Sequence, residues 1–277
     1  MDELTPEIQP LQTVDRALEI LLSFDEFRSE WGVTELSEEF GWSRSTAQRL
    51  LASLAARGFL RADPSNRRYR LGPAAWRIAA LWERSGGLSS MIEPLLIPLA
   101  QESRRTALFC IPDGTHVRCI TAISGIEGPQ RTHPFLNELY PAHAGATSRA
   151  HFAFLDPAFR RNLLDGRPLA SLSPLTQVDL QAIEVAFDET VAQGYAYSEG
   201  EYDAGSQALA VPVFALNRPA GSVTLVENKH GNHDDELFAH LDSLQGLAGK
   251  ITELLSNRPV PGPKRHWRRG QHATQKR

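Results

Sequence analysis

The stretch "GWSRSTAQRLLASLAARGFL", Gly41 to Leu60, decides how the first third of the chain is read. Ser43 stands where a helix N-cap belongs, because its hydroxyl can satisfy a backbone N–H that the first turn leaves open. Ala47, Leu50, Leu51 and Leu54 follow at helical spacing and mark a buried stripe, and Gly58 supplies the stop. The spacing therefore predicts a helix over 43–57. Arg44, Ser45, Gln48 and Arg49 project from the side opposite the stripe. Such side chains on the first turns of a helix suit the major groove of DNA. Arg can bind guanine, and Gln adenine, through two hydrogen bonds.

The neighbouring segments extend this reading. In "VTELSEEFG", Val33 to Gly41, Thr34 is the expected cap, Leu36 and Phe40 share one face, and Gly41 closes the helix. Only Gly41-Trp42 and the Ser43 cap separate this helix from the next, the spacing of a helix-turn-helix. Upstream, Val14, Leu18, Leu21 and Leu22 predict a further helix, with Thr13 as its expected cap. Downstream, "FLRADPSNRRYRLG" reads as a hairpin: a strand from Phe59, a turn over Asp63–Asn66 and a return over Arg67–Leu71. A hairpin at this place is a wing. Arg67, Arg68 and Arg70 on it suit phosphates or the adjacent minor groove, so they supply affinity rather than sequence reading. The DNA-binding candidates are Ser43, Arg44, Ser45, Thr46, Gln48, Arg49, Arg67, Arg68 and Arg70.

Charge supports this. The chain of 277 residues has a formal net charge of −4, but the charge is unevenly spread. Residues 41–84 carry nine Arg against Asp63 and Glu83, whereas residues 1–40 carry two basic and eleven acidic residues. Local charge, not the total, decides whether a polyanion is attracted. The last 21 residues, 257–277, hold seven basic residues and no acidic one. With three Pro, that tail is expected to be disordered. Lys264, Arg265, Arg268 and Arg269 around Trp267 either add non-specific DNA attraction or form a solvated tail.

"PAAWRIAALWERS", 73–85, reads as a helix opened by Pro73 and broken by Gly86-Gly87. From Leu88 on, helical and strand patterns mix without βαβ alternation, as expected of an α+β domain with an antiparallel sheet. The expected organisation is a winged helix-turn-helix domain over 10–72, a linker helix over 73–86, a second domain over 87–256 and the tail.

Cys110 and Cys119 lie on two β-like runs joined by Pro112–Thr115. If Ile111 pairs with His116, Cys110 opposes Val117 and Cys119 is a diagonal neighbour. Both are read as small buried hydrophobes of a reducing compartment. The acidic, polar start is no signal peptide, and no apolar run approaches the ~18 residues a membrane span needs. A cytoplasmic protein with no membrane partner is expected. Nucleophile-elbow, dinucleotide, P-loop and zincin motifs are absent, so an enzyme is not expected, nor any cofactor. His230 and His233 near Asp234 and Asp235 are a weak metal pattern, and no metal site is assigned to them.

In "TVDRALEILLSF", "VTELSEEFGWSRSTAQRLLASLAARGFL" and "RRYRLGPAAWRIA" the chain resembles the IclR-type bacterial transcriptional regulators. "YPAHAGATSRAHFAFL" and "QGYAYSEGEYDAGSQALAVPVF" resemble that family's effector-binding domain. The resemblance runs over about residues 10–256. It implies a homodimer, or a dimer of dimers, on a roughly palindromic double-stranded operator. It also implies a GAF-like C-terminal domain that holds a small organic, carboxylic acid effector. By that match Gly145, Ala146, Thr147, Ser148, Ser198, Ala208, Thr224 and Val226 line the pocket. The start of the helix near Gly145 is expected to offer unpaired N–H groups to a carboxylate. The family usually has Gly at Ser148, Cys at Ala208 and Ser at Thr224 and Val226, and these departures lean the wall towards a larger or aromatic acid. The alternative class is a ligand-independent architectural DNA binder, which leaves an acidic domain of some 170 residues without a purpose.

Overall fold

The computed structural model describes residues 11–24, 28–125, 135–228 and 234–256. The basic tail and His230 and His233 lie outside the described residues. The chain forms two compact units, residues 1–91 and 92–277. No helix among the described residues is long and apolar enough to cross a membrane.

The first unit runs α1 (Gln12–Leu22), β1 (Glu30–Trp31), α2 (Val33–Phe40), α3 (Arg44–Ala56), β2 (Leu60–Ala62), β3 (Tyr69–Leu71) and α4 (Pro73–Arg84). The stripe predicted on α3 is the centre of its core. Ala47, Leu50 and Leu51 are buried with Ile20, Trp31, Leu36, Leu60 and Tyr69. Gly41, at φ +67°, makes the left-handed turn that ends α2 and lets α3 start three residues later. The wing is a three-stranded antiparallel sheet ordered β1-β3-β2. β1 is two residues long, too short to show alternation in the sequence.

Two caps differ from expectation. α1 starts at Gln12, so Thr13 lies inside it; the Leu11 carbonyl accepts the Val14 and Asp15 N–H groups at 2.9 and 3.0 Å. α2 starts at Val33 behind Gly32, whose N–H donates to Glu35 Oε2 at 3.4 Å. A carboxylate three residues on does the capping expected of Thr34.

The second unit follows from α5 (Gly87–Ser103), a helix that begins in the first. Ile92, Leu96, Leu99 and Ala100 of α5 are buried, and its Pro94 and Pro98 lie on the exposed side. The strands β4 (Thr106–Asp113), β5 (His116–Ile123), β6 (Leu139–Pro141), β7 (Ala196–Glu199), β8 (Ser206–Ala215) and β9 (Arg218–Asn228) form one antiparallel sheet, ordered β6-β5-β4-β9-β8-β7. The helices are α6 (Ala146–Phe152), α7 (Pro157–Leu164), α8 (Leu180–Gln193), α9 (Asp234–Phe238) and α10 (Leu241–Ser256). α6 lies against β7, β8 and β9, over a core that includes Leu108, Ala208, Ala210 and Val226. By strand alternation Leu209, Val211, Val223 and Leu225 point the other way. α10 packs on β8 and β9 and pins them at the Phe214 and Leu216 N–H groups through Thr252 and Ser256.

The cysteine register differs from expectation. Asp113 pairs with His116 across a two-residue loop, Gly114-Thr115, which slides the hairpin by two residues. Cys110 therefore opposes Cys119 directly, next to an irregularity between Phe109 and Cys110. Both thiols are free and fully buried, and burial pushes the Cys110 thiol well up.

Candidate DNA interface and effector cavity

Ser43 caps α3 as expected, its Oγ accepting the Thr46 N–H at 3.2 Å. The same hydroxyl lies 3.0 Å from Ser45 Oγ and 2.9 Å from Thr46 Oγ1, so the polar start of the helix is tied together. Arg44, Ser45, Gln48 and Arg49 are exposed, and Thr46 is half-buried. Four of the expected groups thus form one outer row on the side away from Ala47, Leu50 and Leu51. Gln48 Nε2 donates to Tyr69 Oη at 3.4 Å, which links the helix to the wing.

The three wing arginines differ from one another. Arg67 is exposed and takes the left-handed conformation at φ +58°. Arg68 donates through Nη1 and Nη2 to the Glu35 carboxylate at 2.8 and 2.6 Å. Its Nε lies 2.5 Å from Glu30 Oε1 without a hydrogen-bond angle, a charge pair rather than a hydrogen bond. Arg70 donates through Nε and Nη2 to Glu30 Oε2 at 2.9 and 2.8 Å. The Arg68 guanidinium holds the Glu35 carboxyl below the usual carboxylate range. The sequence reading missed Glu30 and Glu35, because their partners lie more than 30 residues away.

In the second unit a small cavity opens between the start of α6, the end of β7, the start of β8 and the end of β9. Gly145, Ala146, Thr147, Ser198, Ala208 and Val226, six of the eight expected residues, line it together. Ser148 and Thr224 do not line it. Ser148 is fully buried, its hydroxyl donating to the Ala144 and Gly145 carbonyls. Thr224 is also fully buried, on the face of β9 shared with Val226, and its Oγ1 has no partner. Phe135, Tyr140, Gly200, Glu201, Tyr202 and Ser206 complete the wall. Those aromatics carry no periodic signal; Tyr140 opens one of the matched motifs and Phe135 lies five residues before it, but the sequence marks neither as a wall residue.

The expected free amides are occupied. Gly145 holds φ +89° and turns the chain into α6, and its N–H donates to Glu201 Oε2 at 3.1 Å. The Ala146 N–H donates to Ser198 Oγ at 2.7 Å. Glu201 is also paired with Arg149, which donates to the Tyr197 carbonyl at 3.0 Å. Tyr202 Oη and Tyr140 Oη donate to the two oxygens of Glu138 at 3.0 and 3.1 Å, and the two rings lie 4.7 Å apart. The space is about 360 Å³ counting the open mouth, of which about 20 Å³ admits the centre of a water molecule. That is room for roughly one or two waters. One turn beyond Thr147 on α6, His151 is buried with no partner for either ring nitrogen. Burial lowers its pKa to about 4, so the ring is neutral near pH 7.

A capped helix with a polar outer row, set beside a wing, defines a DNA-binding transcriptional regulator. Residues 13–64 match the IclR helix-turn-helix domain, and residues 84–252 match the bacterial transcriptional regulator IclR C-terminal domain. The chain belongs to the IclR family. It is similar to the HTH-type transcriptional regulator XynR of Escherichia coli K12, at 30% identity over 243 residues, 88% of this chain and 89% of that one. A putative IclR transcriptional regulator from Silicibacter sp. TM1040 is similar in structure, with a TM-score of 0.60 and 26% identity over 90% of this chain and 98% of that one. An IclR homolog from Microbacterium hydrocarbonoxydans, solved with 4-hydroxybenzoate, shares the fold at a TM-score of 0.53 and 18% identity, over 88% and 99% of the two chains. The curated relatives are transcriptional regulators, and the chain is a regulator rather than an enzyme.

Proposed function

We propose that this regulator binds a roughly palindromic operator as a homodimer or a dimer of dimers in the cytoplasm, and that a small organic acid held in the second unit changes its operator affinity. The observation that carries the DNA half is the exposed row Arg44, Ser45, Gln48 and Arg49 on a helix whose other side is buried. Inserted into the major groove, this row reads base edges, with Ser43 and Thr46 holding the start of the helix and Arg67 reaching the backbone. Arg68 and Arg70 are placed on the wing, but they already hold carboxylates.

Self-association is supported by two helices of the first unit. Leu11, Val14, Leu18 and Leu22 line one side of α1 and its cap, all at least half exposed, and Ile78, Leu81 and Trp82 share one exposed side of α4. Helix-length apolar rows of this kind mark contact surfaces, and two-fold symmetry on a palindrome gives them a partner in a second copy.

The effector half rests on the cavity at Gly145–Thr147, Ser198, Ala208 and Val226, with Ser148 and Thr224 packed behind its wall. Its aromatic rim favours a planar or aromatic acid. Such an acid needs more than the present 20 Å³, so it enters by displacing side chains, Tyr202 first, because that ring is part of the wall and hangs on the Glu138 carboxylate. An acid with higher affinity for the opened arrangement shifts the protein towards it. The test is a gel shift on the DNA flanking the protein's own gene, over several salt concentrations, with a panel of aliphatic and aromatic carboxylic acids. A band that survives random competitor and responds to one acid supports the reading. A band that survives competitor but ignores every acid leaves a ligand-independent binder, and no band at low salt refutes the interface.

A further inference from the structure

The Arg68–Glu30–Arg70 and Arg68–Glu35 contacts have a meaning beyond local stability. Surface ion pairs commonly add little to folding, because both partners are well solvated when apart. This network is better built than most. Arg68 meets Glu35 through two parallel N–H groups, and Arg70 meets Glu30 through two more. Each carboxylate is also fixed from behind. Glu30 sits in β1, paired in register with Arg70 of β3, and Glu35 receives the Gly32 N–H. Two guanidinium groups are therefore matched by two carboxylates: Arg68 and Glu35 in the two-oxygen fork that a guanidinium also uses for phosphate, Arg70 with both N–H groups on Glu30 Oε2.

We propose that Glu30 and Glu35 act as internal stand-ins for DNA phosphate: they hold Arg68 and Arg70 on the body of the winged unit, so that these two arginines do not contact phosphate in the native complex. The inference rests on the reading of this unit as the DNA-contacting one. Arg68 is then a positioning residue that welds β3 to β1 and to the start of α2, and Glu30 and Glu35 set a ceiling on sequence-independent DNA affinity. A regulator gains from such a ceiling, because phosphate attraction raises binding to every sequence alike and lowers the advantage of the operator.

The test uses the full chain and a random-sequence duplex, with affinity read by fluorescence anisotropy over a range of salt. Each phosphate contact contributes about 0.9 to the slope of log K against log salt. Arg68→Gln is expected to leave the slope unchanged. The double variant Glu30→Gln/Glu35→Gln, which keeps the side-chain shapes and removes both charges, is expected to bind tighter with a slope steeper by up to about 1.8. Thermal unfolding of each variant checks that it is folded. If Arg68→Gln does not fold, the double variant carries the test alone. A slope shallower by about 0.9 for folded Arg68→Gln means that Arg68 already lies on phosphate, and an unchanged slope for the double variant means that the freed arginines do not reach DNA. Either result overturns the proposal. Absence of wild-type binding at low salt overturns the DNA reading itself.

Discussion

Ser198 Oγ accepts the Ala146 N–H at 2.7 Å, a bond that ties the end of β7 to the first turn of α6 across 52 residues of chain. Both residues are buried and both line the cavity. Ser198→Ala leaves a buried N–H without a partner, which costs about 1–3 kcal/mol. Urea unfolding of the variant is expected to show that loss, and the response to the effector is expected to weaken with it. Wild-type stability in the variant means that the amide finds another acceptor.

Arg44 and Arg49 distinguish base reading from simple attraction. If an arginine of this pair reads a base, its replacement by Ala costs about 1–3 kcal/mol on the operator and relaxes preference at one base pair. Binding to operator and to random duplex is measured side by side. Equal losses on both would refute base reading for that residue.

If the exposed row on α4 is a self-association surface, charge placed on it dissociates the protein. Ile78→Glu combined with Leu81→Glu puts two charges where self-association needs apolar contact, and sedimentation is expected to show the mass of a monomer. Operator affinity then drops steeply, because two half-sites no longer bind as one unit. Unchanged mass assigns those side chains another role.

His151 makes the second unit acid-sensitive. Burial lowers its pKa from 6.5 to about 4, so the fold favours the neutral ring. Its contribution to stability is complete above the unfolded pKa and is lost as pH falls from about 6.5 through about 4. A shift of that size corresponds to roughly 3 kcal/mol. His151→Leu is expected to flatten the pH dependence of stability across this window relative to wild type. Parallel curves for the two proteins would show that the ring finds a partner or reaches solvent.

Periodicity made α3 legible, because a capped helix with a four-residue apolar stripe has few other readings. The β2–β3 hairpin of the wing was legible from its turn residues, Asp63–Asn66, whereas the two-residue β1 was not. The caps of α1 and α2 were not. A Thr looks like a cap wherever a helix starts, but Gly32 with Glu35 satisfied the first turn of α2 and pushed Thr34 inside. The cysteine register depended on a two-residue loop, and one choice of turn moved every pair by two. Six cavity residues were reached only through family motifs. Glu201, which fills the amide seat, and Tyr202, which stands at the rim, required the three-dimensional arrangement. So did the carboxylates that hold Arg68, since nothing local in the sequence pairs residues 30 and 68.

The buried, directly opposed Cys110 and Cys119 give the second unit its own reporter. They are the chain's two cysteines, both fully buried, and burial keeps the Cys110 thiol from ionising. A thiol reagent therefore acts only on molecules whose β4–β5 hairpin has parted from α6, and the labelling rate counts those openings one by one. Followed with and without a candidate acid, that rate reads whether the acid opens or closes this part of the sheet, with no added dye or tag.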